Sequence, residues 1–204
     1  MGVNLVRAGR LCALAFMLSP LLAAQNNGSP GADGTQLGRQ GRNDNGANNG
    51  VTDDNNPSVQ AKRDKAFVKK VSESGFAEIQ LGQLAAQKGG SDVLKQLGQK
   101  MVDDHTALDA SQQPSADAMG VKSAMKLSKK NQAKYDRLNG LSGTDFDKEY
   151  LACMVKDHQK DLRLFEDENA TVANPDLKSA VEKGLQVIQE HTKMVEQLYA
   201  AKKG

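Results

Sequence analysis

Apolar side chains recur every three to four residues along most of the chain from about residue 59 onward. This is the spacing of one face of an α-helix, and the alternation that marks a β-strand is not found in this part of the sequence. The pattern predicts four long helices, which begin near residues 59, 91, 144 and 174. It also predicts a shorter helix over about residues 128–139.

Capping residues and helix breakers give these helices their predicted limits. Gly89-Gly90, Gly120 and Asn139-Gly140 are expected to end helices. Pro114 is expected to kink or break the second long helix before Gly120, because proline lacks the backbone N–H that a helix interior needs. The predicted N-caps are residues whose side chains accept a hydrogen bond from the first turn: Ser58, Ser91, Ser128, Thr144 (with Asp147 three residues later) and Asn174.

Short turns follow the first and third long helices, so each is expected to form an antiparallel hairpin with the next helix. The long connection between the second and third long helices allows a crossover that contains the short helix. This is the connectivity of a ferritin-like four-helix bundle. We therefore predict an all-α domain over residues 58–204, a length that suits one hydrophobic core.

The first 57 residues have a different composition. Residues 1–24 combine Arg7 and Arg10 with an apolar run from Leu11 to Leu22, which is typical of a signal peptide. An uncleaved inner-membrane anchor is the alternative. Residues 25–57 are rich in Gly, Asn and Asp and are interpreted as a disordered tether. Export to the periplasm is therefore expected, with peripheral association with the outer membrane and an unknown envelope partner as further expectations.

Composition excludes some functions and favours none. The net charge is only +2, and the chain has no Trp, three Tyr and five Phe. A nucleic-acid surface would need a clustered basic patch or aromatic stacking residues, so no nucleic acid is expected as a partner. No nucleophile elbow, phosphate-binding loop or dinucleotide fingerprint is present, so a catalytic role is not favoured.

The three histidines of the chain, His105, His158 and His191, each follow a carboxylate and each occupy a core position of a long helix. Glu78 occupies a core position of the first long helix at a similar height. Imidazole with carboxylate suits zinc, iron or copper, and bundle cores are where such sites are built. We therefore predict a metal site of Glu78, His105, His158 and His191, with Asp109 and Asp161 as residues that orient the rings. It requires ring nitrogens within ~5 Å of one another.

Other interpretations of the same residues remain open. Core histidines also serve as structural hydrogen-bonding groups, satisfied by carboxylates of facing helices, or as a pH-responsive core. The acids that precede each histidine lie ~100° around the helix and are placed to meet a neighbouring helix. Nearby methionines allow a soft copper(I) site, although methionine commonly fills cores. The Glu-x-x-His spacing of di-iron bundles is absent, because the residues three before the histidines are Val102, Val155 and Ile188.

Residues about 64–200 resemble a bacterial family of exported proteins known as domain of unknown function 4142, whose members are often named as outer membrane proteins. The resemblance rests on Ala66–Lys70, Ala77–Gly82, Leu141–Asp147 and the two Met-Val-x-Asp-His segments that end at His105 and His158. It implies a ferritin-like bundle in the cell envelope and brings no established reaction. Pro114 departs from the unbroken helix that the family has there.

We therefore expect an exported cell-envelope bundle with a non-catalytic structural, stress-related or binding role. The alternative is a metal-binding or metal-dependent redox protein that uses the predicted His/carboxylate site.

Overall fold

Five helices account for most of residues 56–202, the part of the chain that the computed structural model describes. The predicted signal peptide and residues 25–55 of the predicted tether lie outside the described residues. The helices are α1 (Pro57–Lys88), α2 (Asp92–Ala118), α3 (Lys129–Asn139), α4 (Gly143–Thr171) and α5 (Pro175–Ala201).

The topology is that of a ferritin-like bundle with one crossover. Helix α1 packs mainly against α2, and α4 packs mainly against α5, so two antiparallel hairpins form. The hairpins meet through contacts of α1 with α4 and of α2 with α5, and the crossover helix α3 contacts α1 and α4. The predicted fold is confirmed. None of the described helices combines the length and apolar character that a membrane span requires.

Most of the predicted helix starts are confirmed. Pro175 and Asp176 follow the Asn174 cap in the first turn of α5, as predicted. Helix α1 differs, because Asn56 and not Ser58 is its N-cap. Pro57 then occupies the first turn, where a missing N–H has no cost, and the Ser58 amide donates to Asn56 Oδ1 at 2.9 Å. The confirmed caps accept from amides three residues on: Ser91 from Leu94, Ser128 from Asn131 and Asn174 from Leu177.

The predicted capping pattern of Thr144 and Asp147 is wrong. Helix α4 begins one residue earlier, at Gly143, and Ser142 is its N-cap without a side-chain hydrogen bond. The Asp147 carboxylate is buried, and it accepts from the Gly90 amide at 2.8 Å and from Lys202 Nζ at 2.9 Å. Partners distant in sequence have therefore replaced the local cap.

Pro114 does not break α2, which continues to Ala118 before Gly120 (φ 62°) leaves the helix. Proline removes the hydrogen bond that the carbonyl of Ala110 would accept. Pro114 and Ala110 are both exposed, so that carbonyl lies on the side of the helix that water can reach. The expected break is wrong because it falls near the end of the helix and on its solvent face.

The core consists of two apolar clusters. The first includes Leu81, Met101, Phe146, Met154 and Val195, and the second includes Phe67, Leu108, Phe165, Leu177 and Ile188. The prediction that apolar side chains line one face of each long helix is confirmed.

Each of the four long helices has an ionisable residue between the parts of the helix that belong to the two apolar clusters. On α2, His105 lies between Met101 of the first cluster and Leu108 of the second. We call these residues the polar layer: Glu78, His105, His158 and His191. All four are at most 3 % exposed.

Candidate metal centre

The three histidines of the polar layer converge in the interior of the bundle. One ring nitrogen of each lies within 4.8 Å of one ring nitrogen of each of the others. The ring centroids are 5.2 to 5.7 Å apart. Because the rings come from α2, α4 and α5, the two hairpins must pack together to assemble this group. The arrangement meets the ~5 Å condition set by metal–nitrogen bonds of ~2.0–2.1 Å.

The orientation of His158 is fixed by its own helix. Its Nδ1 lies 3.0 Å from the carbonyl oxygen of Met154, four residues earlier. A carbonyl oxygen can only accept a hydrogen bond, so Nδ1 carries the proton. In the neutral ring, Nε2 is then an unprotonated lone pair that points away from α4.

The orientation of His191 is fixed by a carboxylate on another helix. Its Nε2 lies 2.7 Å from Asp104 Oδ2 on α2, and Lys100 Nζ donates to the same oxygen at 2.7 Å. Partial burial raises the pKa of Asp104, but the hydrogen bonds from Lys100 and His191 outweigh it and leave the pKa below its usual value. The ionised carboxylate accepts the Nε2 proton, so Nδ1 of neutral His191 is the lone pair.

These two lone pairs face each other. His158 Nε2 and His191 Nδ1 are 3.3 Å apart, and neither carries a proton when both rings are neutral. Within the described residues, Nε2 of His105 is also buried without a hydrogen-bond partner. Buried lone pairs that face each other are unfavourable unless a proton or a metal ion lies between them.

Burial disfavours a proton between these nitrogens, because it favours uncharged imidazole rings. It lowers the pKa of His158 to about 4, with the neighbouring His191 charge as the next cause. Burial, followed by the charges of His158 and His191, places the pKa of His105 well below its usual value. Burial also lowers the pKa of His191, although Asp104 opposes this. All three rings are therefore neutral at pH 7, which is the form that binds metals.

Glu78, the fourth predicted ligand, is not part of this group. The charges that act on its carboxyl are those of Asp157, Asp161 and Lys134 on α3 and α4. Burial, followed by Asp157 and Asp161, raises its pKa well above the usual value, and its Oε2 has no hydrogen-bond partner among the described residues. Glu78 thus shares the polar layer with the histidines but not their cluster.

Asp109 and Asp161, which were predicted to orient the rings, do not hydrogen-bond to the imidazole nitrogens. Both line a small cavity of about 10 Å³ beside the ring of His105. Among residues 56–202, the groups that hydrogen-bond an imidazole nitrogen are Met154 and Asp104 instead. The sequence feature that points to Asp104 is its position ~100° around the helix from His105, because this position turns its side chain toward the next helix. Asp157 likewise pairs with Lys134 on α3.

The sequence matches a described family over most of its length. Residues 50–198 match the domain of unknown function DUF4142. The chain belongs to this family. The predicted resemblance is therefore confirmed, and the family description assigns no activity. No curated protein matches the sequence.

Among the solved structures that match this DUF4142 member, two are similar to it over about two thirds of the chain. One is a DUF305 fragment from Deinococcus radiodurans, with a TM-score of 0.60 and 11 % identity, covering 68 % of this chain and 96 % of that one. The other is CopM in its Cu(I)-bound form, with a TM-score of 0.59 and 17 % identity, covering 69 % of this chain and 98 % of that one. At these identities the likeness shows a common helical-bundle fold.

Proposed function

We propose that this protein binds one transition-metal ion through His105, His158 and His191. The observation that carries the proposal is the convergence of buried imidazole lone pairs. Two of them are fixed toward each other by hydrogen bonds at the far side of their rings. A metal ion between them replaces a repulsive contact by two bonds.

The spacing of the nitrogens suits a shared ion. With bonds of ~2.0–2.1 Å and tetrahedral angles, two nitrogens on the same ion lie ~3.3–3.4 Å apart. His158 Nε2 and His191 Nδ1 are already 3.3 Å apart. The third nitrogen, from His105, lies within 4.8 Å of the other two and supplies the third ligand.

The donor set favours copper or zinc over iron. Non-haem iron is typically held by two histidines and a carboxylate, and Glu78 does not join the three histidines here. Three neutral imidazoles leave the charge of the ion uncompensated, except by Asp104 through His191. Copper(I) brings the smallest charge into this interior. The fold that CopM shares with this chain, seen there with Cu(I), is consistent with copper.

A structural role for the same residues is the second candidate. Lys100, Asp104, His191, His158 and the Met154 carbonyl form one continuous series of contacts across α2, α5 and α4. Such a series would fix how the helices align even without a metal ion. In this role the protein is a non-catalytic component of the envelope.

The location in the cell envelope is part of the proposal. It is supported by the signal-peptide pattern of residues 1–24 and the following Gly/Asn-rich segment. Fractionation of cells that express the full chain tests it, with a chain lacking residues 1–24 as the control. Recovery of both chains in the cytoplasm would contradict it.

Elemental analysis of the full-length protein, purified without added metal or chelator, tests the metal. We expect about one copper or zinc ion per chain, and less than a tenth of that in His158→Ala and His105→Ala, which lose one of only three ligands. Thr192→Val is the matched control, since Thr192 is buried next to His191 but bonds to the Ile188 carbonyl. A wild-type protein that contains and takes up no metal leaves only the structural role.

A further inference from the structure

An open groove of about 520 Å³ lies between the crossover helix α3 and the long helix α4. This volume is in the range of ligand sites in proteins. Only two carboxylates line the groove, those of Glu149 and Asp157. Six lining residues carry a positive charge: Lys130, Lys134, Arg137, Lys156, Lys160 and Arg163. The groove is therefore positively charged.

The six cations form two rows with the same spacing. The row on α3 has cations at positions i, i+4 and i+7, beginning at Lys130, and the row on α4 repeats these positions from Lys156. Residues at this spacing share one face of a helix. At a rise of ~1.5 Å per residue, each row is ~10 Å long. The cations thus extend along the groove, which suits a ligand with several negative groups.

Both carboxylates of the groove are already paired. Asp157 forms an ion pair with Lys134, and Glu149 forms one with Arg137, so the two pairs join α4 to α3. The guanidinium of Arg137 also donates to Cys153 Sγ at 3.2 Å, which fixes its position further.

The other four cations have no such partner. Within residues 56–202 they form no ion pair, and all four side chains belong to exposed residues: Lys130, Lys156, Lys160 and Arg163. Their charge is therefore available to a ligand.

The spacing of these cations is unfavourable for the helix that carries them. Like charges four residues apart repel each other and lower helix stability. On α2, Lys100 instead has the acid Asp104 at this spacing, and the two form an ion pair. On α4, Lys160 follows Lys156 at this spacing and precedes Arg163 by three residues. A bound anion would offset the repulsion along this row.

The chain that leads into α3 extends the positive surface. No Asp or Glu occurs between Asp117 and Asp136, whereas five lysines do: Lys122, Lys126, Lys129, Lys130 and Lys134. The first four are exposed. A surface with one sign of charge attracts ligands of the opposite sign from a distance.

We propose that the groove between α3 and α4 binds a ligand that carries several clustered phosphate groups. Lysine and arginine donate strong, charge-assisted hydrogen bonds to phosphate oxygens, and arginine can donate two in parallel. No aromatic side chain lines the groove, so it offers the phosphate groups contacts but gives a nucleobase no stacking partner. The site uses none of the three histidines, so it does not depend on the metal function.

Isothermal titration calorimetry of the full-length protein with sodium tripolyphosphate tests the site. The double variant Lys160→Gln/Arg163→Gln should bind at least about tenfold more weakly, because two charge-assisted contacts are lost. The matched control is Lys183→Gln/Lys193→Gln, which removes two charges from exposed positions of α5 and should stay within about threefold of wild type. Circular dichroism confirms that each variant folds.

A second measurement distinguishes free phosphate chains from lipid headgroups, which present the same groups. The full-length protein is sedimented with phosphatidylcholine vesicles that contain or lack phosphatidylglycerol. Binding of tripolyphosphate without binding of either vesicle would assign the groove to a free polyphosphate ligand. Binding of the phosphatidylglycerol vesicles alone, lost in Lys160→Gln/Arg163→Gln, would assign it to anionic headgroups.

Three results would overturn the inference. The wild type could bind neither tripolyphosphate nor the phosphatidylglycerol vesicles. The groove variant and the α5 control could weaken binding equally, which would show attraction by overall charge alone. Loss of tripolyphosphate binding in His158→Ala would place the anion on a metal ion instead of in the groove. Unchanged binding in His158→Ala is expected, and it would keep this site even if the metal function failed.

Discussion

The two apolar clusters and the polar layer between them are built on different principles. In the clusters, side chains such as Leu177 and Val181 fill space, and their contacts have no required direction. In the polar layer, the ring nitrogens of His158 and His191 have fixed directions, which the Met154 carbonyl and Asp104 set. The clusters supply the stability of the bundle, whereas the layer leaves lone pairs that packing cannot satisfy. The proposed metal ion would satisfy these lone pairs, which the contacts of an apolar cluster do not require.

The largest effect on stability is expected from an apolar cluster. Leu177 is fully buried, and Leu177→Ala should lower the free energy of unfolding of the apoprotein by about 2–5 kcal/mol, because a cavity remains. Val93→Ala is the control, since Val93 is 56 % exposed and its replacement should change stability by less than about 0.5 kcal/mol. Urea unfolding measures both. Metal content per folded chain should not change, and its loss in Leu177→Ala would remove the distinction between cluster and layer.

The second-largest effect is expected in the polar layer, where a substitution should weaken the affinity for metal. Asp104→Asn keeps the shape of the side chain but removes the charge that orients His191, and should weaken copper or zinc binding about 10–100-fold. Asp103→Asn is the matched control, because Asp103 is exposed and pairs with Gln99 on the same helix. Competition with a chelator of known affinity measures both. Equal affinities would show that Asp104 has no part in the site.

A buried acid outside the layer should respond to pH in the opposite sense to the histidines. Burial, followed by a hydrogen bond with Asp64, raises the pKa of Glu168 to about 7. The unfolded chain loses this proton near pH 4.5, so Glu168 destabilises the fold as pH rises from 4.5 through 7. Glu168→Gln should match wild type at pH 4 and be more stable at pH 8 by about 1–2 kcal/mol, allowing for solvent screening.

Urea unfolding at the two pH values measures this, with the exposed Glu166→Gln on the same helix as control. A Glu168→Gln variant that loses stability equally at both pH values would contradict the shifted titration.

The smallest effect separates function from stability within the layer itself. His105 has a buried nitrogen without a partner, so His105→Leu should stabilise the metal-free protein by about 1 kcal/mol while it abolishes metal binding. His191→Leu should destabilise the metal-free protein, because the part-buried Asp104 loses one of its two hydrogen-bond partners and keeps only Lys100. Thermal unfolding of metal-free samples compares them. Destabilisation by His105→Leu would indicate that the ring is structural.

The sequence was sufficient to predict the five helices and the burial of the three histidines in the bundle core. Regular spacing placed Met101, His105 and Leu108 on one face, and the same rule located the other two histidines. It could not show that Glu78 would lie among charges of α3 and α4, because helix rotation within the bundle depends on packing. The partners of Asp147 and the hydrogen bonds of Asp104 join residues far apart in sequence, so they required the folded chain.

X-ray absorption spectroscopy of the full-length protein, loaded with one equivalent of copper or zinc, shows directly whether three imidazoles share one metal ion. We expect a first shell that contains three imidazole nitrogens at ~2.0–2.1 Å, and loss of this three-nitrogen shell in His105→Ala. A first shell of oxygen atoms alone, or a spectrum unchanged by His105→Ala and His158→Ala, would contradict it.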